Sequence, residues 1–270
     1  EIEVCDWSSD VCSSDLRLHR EDWRITRRDV TRHLIQGIPL GLQFSVLAIG
    51  IIVMQSVIVQ FDTLGGEMVS NAAQNGFGAA NKLNNLLMTP LNGLGAAMTS
   101  FTAQNLGAGD HARIKKGTVQ ALIIVWTMCL ISIAAGLLLS RGGGYLYIFL
   151  SPDKVTAETM RYGNTYLYVD LSLYLFLGFI FVVRNCVQGI GKPQFVLGAG
   201  AAELAARVSV CLLLPPLIAG GAVNSDAPRA AVYALCFADP FAWMAADAVL
   251  LVPFLRNIMK MDYRYLKGTM

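Results

Sequence analysis

Six long apolar runs, separated by short polar turns, constrain this sequence more than any other feature. We predict helices at residues 34–61, 67–105, 117–140, 159–189, 193–219 and 228–256. Each is long enough to cross a hydrocarbon layer of about 30 Å at about 1.5 Å per residue. With 54% hydrophobic and 15% charged residues, the composition is typical of membrane proteins. The predicted fold class is therefore an all-α polytopic membrane protein with six transmembrane helices.

The second run exceeds the length of a single perpendicular span. A helix over residues 67–105 would measure about 58 Å, and it contains Pro90 near its middle. Proline removes a helical hydrogen bond and bends the backbone. We therefore expect this helix to be tilted or bent and to protrude from the membrane.

Lysine and arginine are unevenly distributed between the two sets of flanks. Fifteen lie in the N-terminal flank, the 106–116 turn, the 184–192 turn and the C-terminal tail. The opposite set holds four, which are Arg141, Lys154, Arg161 and Arg229. Basic loops remain on the cytoplasmic side. We therefore predict a plasma-membrane (inner-membrane) protein with both ends of the chain cytoplasmic and an even number of helices.

Four segments follow from composition. Residues 1–16 repeat Ser-Ser-Asp and resemble the translation of a sequencing-library adapter, so we expect them to be non-biological. Residues 17–33 hold six arginines and are predicted to be a basic cytoplasmic linker, either amphipathic at the membrane surface or a solvated flank that sets the topology. The membrane lobe spans 34–256, and residues 257–270 form a cytoplasmic tail.

Residue types needed by several other function classes are missing from the apolar runs. All three histidines lie outside them, and the cysteines within or beside the runs have no Cys-x-x-Cys spacing. We therefore expect no metal site, no organic cofactor and no disulfide framework. A membrane-embedded enzyme is disfavoured because it would need a nucleophile with a base, or a metal cluster. The net charge of +2 gives no argument for a nucleic-acid partner.

The turn after the second run carries a recognisable pattern. It contains Gln-Asn-Leu-Gly-Ala-Gly-Asp-His-Ala-Arg-Ile at residues 104–114. Gly37-Ile-Pro-Leu-Gly-Leu-Gln43, Pro90, the turn from Arg184 to Pro193 and Glu203-x-x-x-Arg207 accompany it in order. Together these resemble the C-terminal lobe of the MATE (multidrug and toxic compound extrusion) transporters.

The resemblance implies a twelve-helix protein made of two six-helix lobes, with substrate carried between them. The partners would be the lipid bilayer, small cationic organic substrates and an N-terminal lobe of the same protein that is missing here. The implied function is a secondary antiporter that exports cationic or amphipathic compounds in exchange for H⁺ or Na⁺. A lipid-linked oligosaccharide flippase of the same superfamily is the alternative, although the excess of acidic residues in the runs argues against it.

Charged residues inside the runs are the first candidates for function. Each would cost about 2.5–3.5 kcal/mol at a helix centre facing lipid, so they should face the lobe interior or the cleft. Away from the ends of the runs they comprise four acids and two bases: Lys82, Asp170, Glu203, Arg207, Asp239 and Asp247. Lys82 is predicted to snorkel from the outer half of its helix.

Asp170 lies near the predicted midplane, about 16 Å from the outer end of its helix. A carboxylate there could exchange a proton or bind Na⁺, or it could form a fixed ion pair with Arg207. Glu203 and Arg207 are four residues apart and can pair along one helix, in a structural or a transport role. In the NorM-like branch of the family the cation-binding carboxylates lie in the first and fourth helices of this lobe, but residues 34–61 contain none, which leaves open a cation site elsewhere.

The last run carries Asp239, Trp243 and Asp247 at helical spacing on one face. Such a face suits the wall of a cleft for an organic cation, and it equally suits a packing stripe with hydrogen-bonded carboxylates. The amides Gln43 and Gln55 are candidates either for substrate contact or for hydrogen bonds between helices.

Overall fold

The computed structural model describes residues 26–260. The expectations for residues 1–16, for most of the linker 17–33 and for most of the tail 257–270 therefore lie outside the described residues. The chain divides into two compact units, residues 1–38 and 39–270. In the first unit, Thr26 and Asp29 form a capping box, in which the Thr26 amide donates to Asp29 Oδ2 at 3.1 Å and the Asp29 amide donates to Thr26 Oγ1 at 3.3 Å.

Helices dominate the described residues, as the predicted all-α class requires. In chain order they are α1 (Arg27–Gln60), α2 (Ala72–Gly107), α3 (His111–Ser140), α4 (Leu146–Phe149), α5 (Ala157–Ser172), α6 (Tyr174–Gly189), α7 (Pro193–Ala219), α8 (Arg229–Cys236) and α9 (Ala238–Pro253). The short elements are β1 (Thr63–Leu64), β2 (Glu67–Met68), two 3₁₀ turns (Arg141–Gly143 and Pro152–Lys154) and a terminal π-helix (Phe254–Met259).

Four helical segments within residues 26–260 are long and apolar enough to cross a membrane. They are Arg27–Gln60, His111–Gly143, Pro193–Ala219 and Arg229–Met259, and the bent pair α5 and α6 makes a fifth if it is one span. Helix α2 has 36 residues and is therefore long enough to cross a membrane. Its asparagines make it more polar than the four segments named above. These helices confirm a multi-pass membrane protein of the all-α class.

The predicted start of the second helix at residue 67 is wrong, because a small hairpin occupies residues 63–68. Gly65 and Gly66 have positive φ angles of 60° and 89°, which a two-residue turn between antiparallel strands requires. Helix α2 then begins at Ala72 and continues through Pro90 to Gly107.

The first turn of α2 is capped by a residue that precedes the hairpin. Both carboxylate oxygens of Asp62 accept backbone N–H groups of this turn, from Ala73 at 3.0 Å and from Gln74 at 2.9 Å. Asn71, the residue at the usual capping position, makes no side-chain cap bond. The buried Asp62 therefore fixes the hairpin against the start of α2.

The fourth predicted helix is broken rather than continuous. Helices α5 and α6 meet at Leu173 with a bend of 57°. The Ser172 hydroxyl donates to the Val169 carbonyl at 2.6 Å, and the Leu173 amide bonds to the Asp170 carbonyl at 3.2 Å. These bonds tighten the end of α5 and compete with the regular helical pattern.

The last predicted helix, 228–256, is also divided. It breaks at Phe237 between α8 and α9 and ends in the π-helix that follows Pro253. The other internal proline, Pro240, lies in the first turn of α9, where a missing N–H is tolerated.

Close helix packing in the second unit depends on small residues. A Cβ at Gly76 of α2 would lie 2.3 Å from the Thr159 carbonyl oxygen of α5. A Cβ at Gly95 would lie 2.5 Å from Asn185 Nδ2 of α6. Helix α2 therefore packs closely on both halves of the broken span, as small residues allow in membrane proteins.

Candidate functional site

A cavity of about 410 Å³ opens among α1, α2, α5, α6, α7 and α9 of the second unit. Its volume is within the range of sites for drug-sized ligands. Besides aliphatic side chains, the wall contains three other kinds. Aromatic rings come from Phe44, Tyr166, Phe181 and Trp243, amides from Gln43, Asn81, Asn84, Asn85, Asn92, Asn185 and Gln188, and charges from Arg184, Glu203, Arg207 and Asp239.

The four charges form one continuous chain of ion pairs. Arg184 Nη2 lies 2.8 Å from Glu203 Oε2, and Glu203 Oε1 lies 3.3 Å from Arg207 Nη2. Arg207 in turn contacts Asp239 Oδ1 through Nη2 at 2.7 Å and Nε at 2.8 Å. Two positive and two negative groups therefore compensate one another along the wall.

Tyr166 lies between this chain of ion pairs and the carboxylate of Asp170. Its hydroxyl donates to Asp239 Oδ2 at 2.9 Å, and its ring contacts Phe77 edge-on with centroids 4.6 Å apart. Tyr166 lies one helical turn before Asp170 on α5, so it stands between the ion-pair chain and Asp170.

Asp170 is fully buried, and its two oxygens differ in their surroundings. Oδ2 accepts a hydrogen bond from Asn84 Nδ2 at 2.8 Å. Oδ1 finds no hydrogen-bond partner among residues 26–260, and the same is true of Asn84 Oδ1 and Gln43 Oε1. Asn84 and Gln43 are 5% and 3% exposed. Buried polar oxygens without partners are costly, so contact with a bound group would be favourable for each of these atoms.

The structure brings together six of the eight predicted site residues and leaves two aside. Gln43, Glu203, Arg207, Asp239 and Trp243 line the cavity, and Asp170 is connected to its wall through Asn84. Asp247 is half-buried on α9 and Gln55 is exposed on α1, and neither lines the cavity.

Of three predictions about charge, one is confirmed and two need correction. The suggested ion pair between Asp170 and Arg207 is not formed, because Arg207 is bound by Glu203 and Asp239. The Glu203–Arg207 pair predicted from the four-residue spacing is formed. The acidic excess inside the lobe is smaller than predicted, because Arg184, counted above with the inner turn, is partly buried in α6 and pairs with Glu203.

Lys82, outside the cavity, is exposed and lies with Nζ 6.0 Å from the centroid of the Phe149 ring. The snorkelling of Lys82 to the outer interface stays a prediction.

Tyr166 and Asn84 were missed by the sequence analysis, and the two differ in how they could have been found. The spacing of Tyr166 and Asp170 could have indicated that they share a face. The hydrogen bond from Asn84 joins residues 86 positions apart, and no local pattern signals it.

Comparison with known proteins agrees with this architecture. The MatE family model matches residues 34–213, which are 180 of the 270 residues. A curated relative, named as the probable multidrug resistance protein YpnP of Bacillus subtilis (strain 168), is 30% identical over 174 residues, covering 60% of this chain and 33% of its own length. The chain thus spans about a third of that relative.

Two solved structures share the fold. One is a MATE protein in complex with MaL6, with a TM-score of 0.68, 17% identity, and coverage of 88% of this chain and 49% of the other. The second is a MOP-superfamily transporter from Pyrococcus furiosus, whose reversed pocket polarity suggested a different function, with a TM-score of 0.65, 14% identity, and coverage of 84% and 44%. Because the family model covers most of it, the chain belongs to the MatE family, whose members are membrane transporters and not enzymes.

Proposed function

We propose that the protein to which this chain belongs is a secondary antiporter of the plasma membrane. It would export cationic or amphipathic organic compounds in exchange for H⁺ or Na⁺, using this lobe and an N-terminal lobe together. The observation that carries the proposal is a drug-sized cavity with aromatic and amide walls that adjoins the buried carboxylate of Asp170. Aromatic faces attract organic cations without a fixed negative partner.

Asp170 and Asn84 are the candidates for the coupling cation. Their unpartnered oxygens, Asp170 Oδ1 and Asn84 Oδ1, belong to side chains already joined by a hydrogen bond. Carboxylate and amide oxygens are suitable ligands for Na⁺, and a buried carboxylate can take up a proton instead. Glu203 and Asp239 are less suited because both are neutralised by arginine.

The test is transport by the full-length protein reconstituted in liposomes with an imposed H⁺ or Na⁺ gradient and a fluorescent organic cation as substrate. Asp170→Asn keeps the side-chain volume and removes the carboxyl group that could take up a proton. We expect it to abolish gradient-driven export while leaving passive substrate exchange and thermal stability intact. Asp226→Asn, a change at an exposed position, is the matched control. Gradient-driven export by Asp170→Asn at the control rate would contradict the assignment.

A lipid-linked oligosaccharide flippase is the second candidate. The two arginines in the cavity wall, Arg184 and Arg207, favour it because guanidinium groups bind phosphates in pairs of hydrogen bonds. Both already contact carboxylates, which leaves less capacity for an anionic substrate. Liposomes loaded with a fluorescent lipid pyrophosphate separate the candidates, since movement of this lipid across the membrane is expected of a flippase and not of an exporter of organic cations.

A further inference from the structure

A second pocket, of about 100 Å³, lies between α5 and α8. It is separate from the large cavity and is located near the start of each helix, at the end predicted to face outward. Six residues line it, namely Arg161, Tyr162, Thr165, Arg229, Val232 and Tyr233. Two arginines from different helices therefore meet at one pocket whose lining contains no acidic side chain.

Arg161 contacts two neighbouring side chains of α5. Its guanidinium carbon lies 5.3 Å from the centroid of the Tyr162 ring, and Nη2 lies 3.8 Å from Glu158 Oε1. That carboxylate is 62% exposed, so the pair is long and solvated and contributes little. The charge of Arg161 remains available to a group that enters the pocket.

Arg229 is exposed and forms no ion pair with any residue from 26 to 260. Basic residues are scarce on the predicted outer side, where the sequence places four. Two of these four line this one pocket. A pair of guanidinium groups around a small space is an arrangement that binds phosphate, because each presents parallel N–H donors.

Aromatic side chains continue from the pocket along α8 and into α9. Tyr233, Phe237 and Phe241 are spaced four residues apart, and Tyr233 and Phe241 are 50% and 44% exposed. The Phe237 and Phe241 rings contact each other with centroids 5.9 Å apart. Exposed aromatic residues below a charged rim are typical of the contact between a membrane protein and lipid.

We propose that this pocket binds the phosphate of an anionic phospholipid in the outer leaflet, with Arg161 and Arg229 contacting the phosphate and the aromatic side chains contacting an acyl chain. The commitment to a lipid, rather than to free phosphate, rests on the exposed rings beside the arginines. Tyr233 belongs both to the phosphate pocket, which its side chain lines, and to the acyl-chain surface, where its ring is exposed.

The test measures lipid binding to the detergent-solubilised full-length protein by native mass spectrometry. Three probes separate the contributions: dioleoyl phosphatidylglycerol, dioleoylglycerol with the same chains but no phosphate, and sn-glycerol 3-phosphate with the phosphate alone. We expect phosphatidylglycerol to bind most tightly. The double change R161Q/R229Q should weaken its binding at least about tenfold, while R141Q, at another exposed outer arginine, should not. E158Q, which removes the competing carboxylate, should bind at least as tightly as the unmodified protein.

Several results would overturn the proposal. Equal binding of phosphatidylglycerol and dioleoylglycerol would mean that the phosphate is not recognised. Binding of glycerol phosphate as tight as that of the lipid would make the pocket a site for free anions. An equal loss in R141Q and in the double variant would reduce the effect to general surface charge. None of these outcomes depends on transport, so they are independent of the antiport proposal.

Discussion

Arg184 Nη2 and Glu203 Oε2 lie 2.8 Å apart and join α6 to α7 across the wall of the large cavity. The same Glu203 carboxylate also contacts Arg207, one turn further along α7. One acidic side chain therefore compensates two guanidinium groups, of which Arg207 is buried and Arg184 is partly buried. Arg207 also pairs with Asp239, whereas Arg184 pairs with Glu203, so loss of the Glu203 carboxylate affects Arg184 most.

Glu203→Gln should destabilise the protein strongly. The change keeps the side-chain volume but leaves Arg184, 15% exposed, without its carboxylate and Arg207, 6% exposed, with Asp239 alone. Breaking a buried pair costs about 3–5 kcal/mol. Thermal unfolding in detergent measures the loss, with the exposed Glu67→Gln as control. Equal unfolding midpoints for the two variants would show that the ion-pair chain is not structural.

Gly76→Ala should disrupt the contact between α2 and α5, whereas Gly78→Ala should not. The new Cβ at Gly76 would lie 2.3 Å from a backbone oxygen, which cannot move aside alone, while a Cβ at Gly78 has no atom within 4 Å. Overpacking of this kind costs about 1–3 kcal/mol. The yield of monodisperse protein and the unfolding midpoint check this. If the two alanine variants behave alike, the helices are less closely packed than described.

Asp62→Ala should release the start of α2. Two backbone N–H groups would lose their acceptor, and loss of a helix cap costs about 0.5–2 kcal/mol. Hydrogen–deuterium exchange should accelerate at residues 72–76 and remain unchanged at the start of α3, which is capped by Asp110. Protection of residues 72–76 equal to that in the unmodified protein would rule out this capping function.

Reporter fusions should place Gly107 in the cytoplasm and Asp153 outside. The prediction follows from the excess of lysine and arginine on the flanks assigned to the inside. A fusion at the C-terminus should give the same result as the one at Gly107. Opposite signals from Gly107 and the C-terminus would contradict the prediction, because they would require an odd number of spans between these two sites.

The sequence was sufficient to predict the apolar helices but not how they are interrupted. Run length and hydropathy predicted α1, α3 and α7 well, because burial in lipid depends on composition. No proline or glycine lies within four residues of the 57° bend at Leu173, so no local signal in the sequence indicates it. Asn84 and Arg184 join the site through contacts with other helices, which periodicity within one helix does not encode.

The break at Leu173 also determines the electrostatics around Asp170. Because α5 ends at Ser172, Asp170 lies in the last helical turn, where the macrodipole places partial negative charge. A carboxylate at that end of a helix is repelled by the peptide dipoles beneath it. The start of α6 at Tyr174 brings N–H groups with partial positive charge to the same break, so helix ends of both signs adjoin Asp170, which an unbroken helix would not provide.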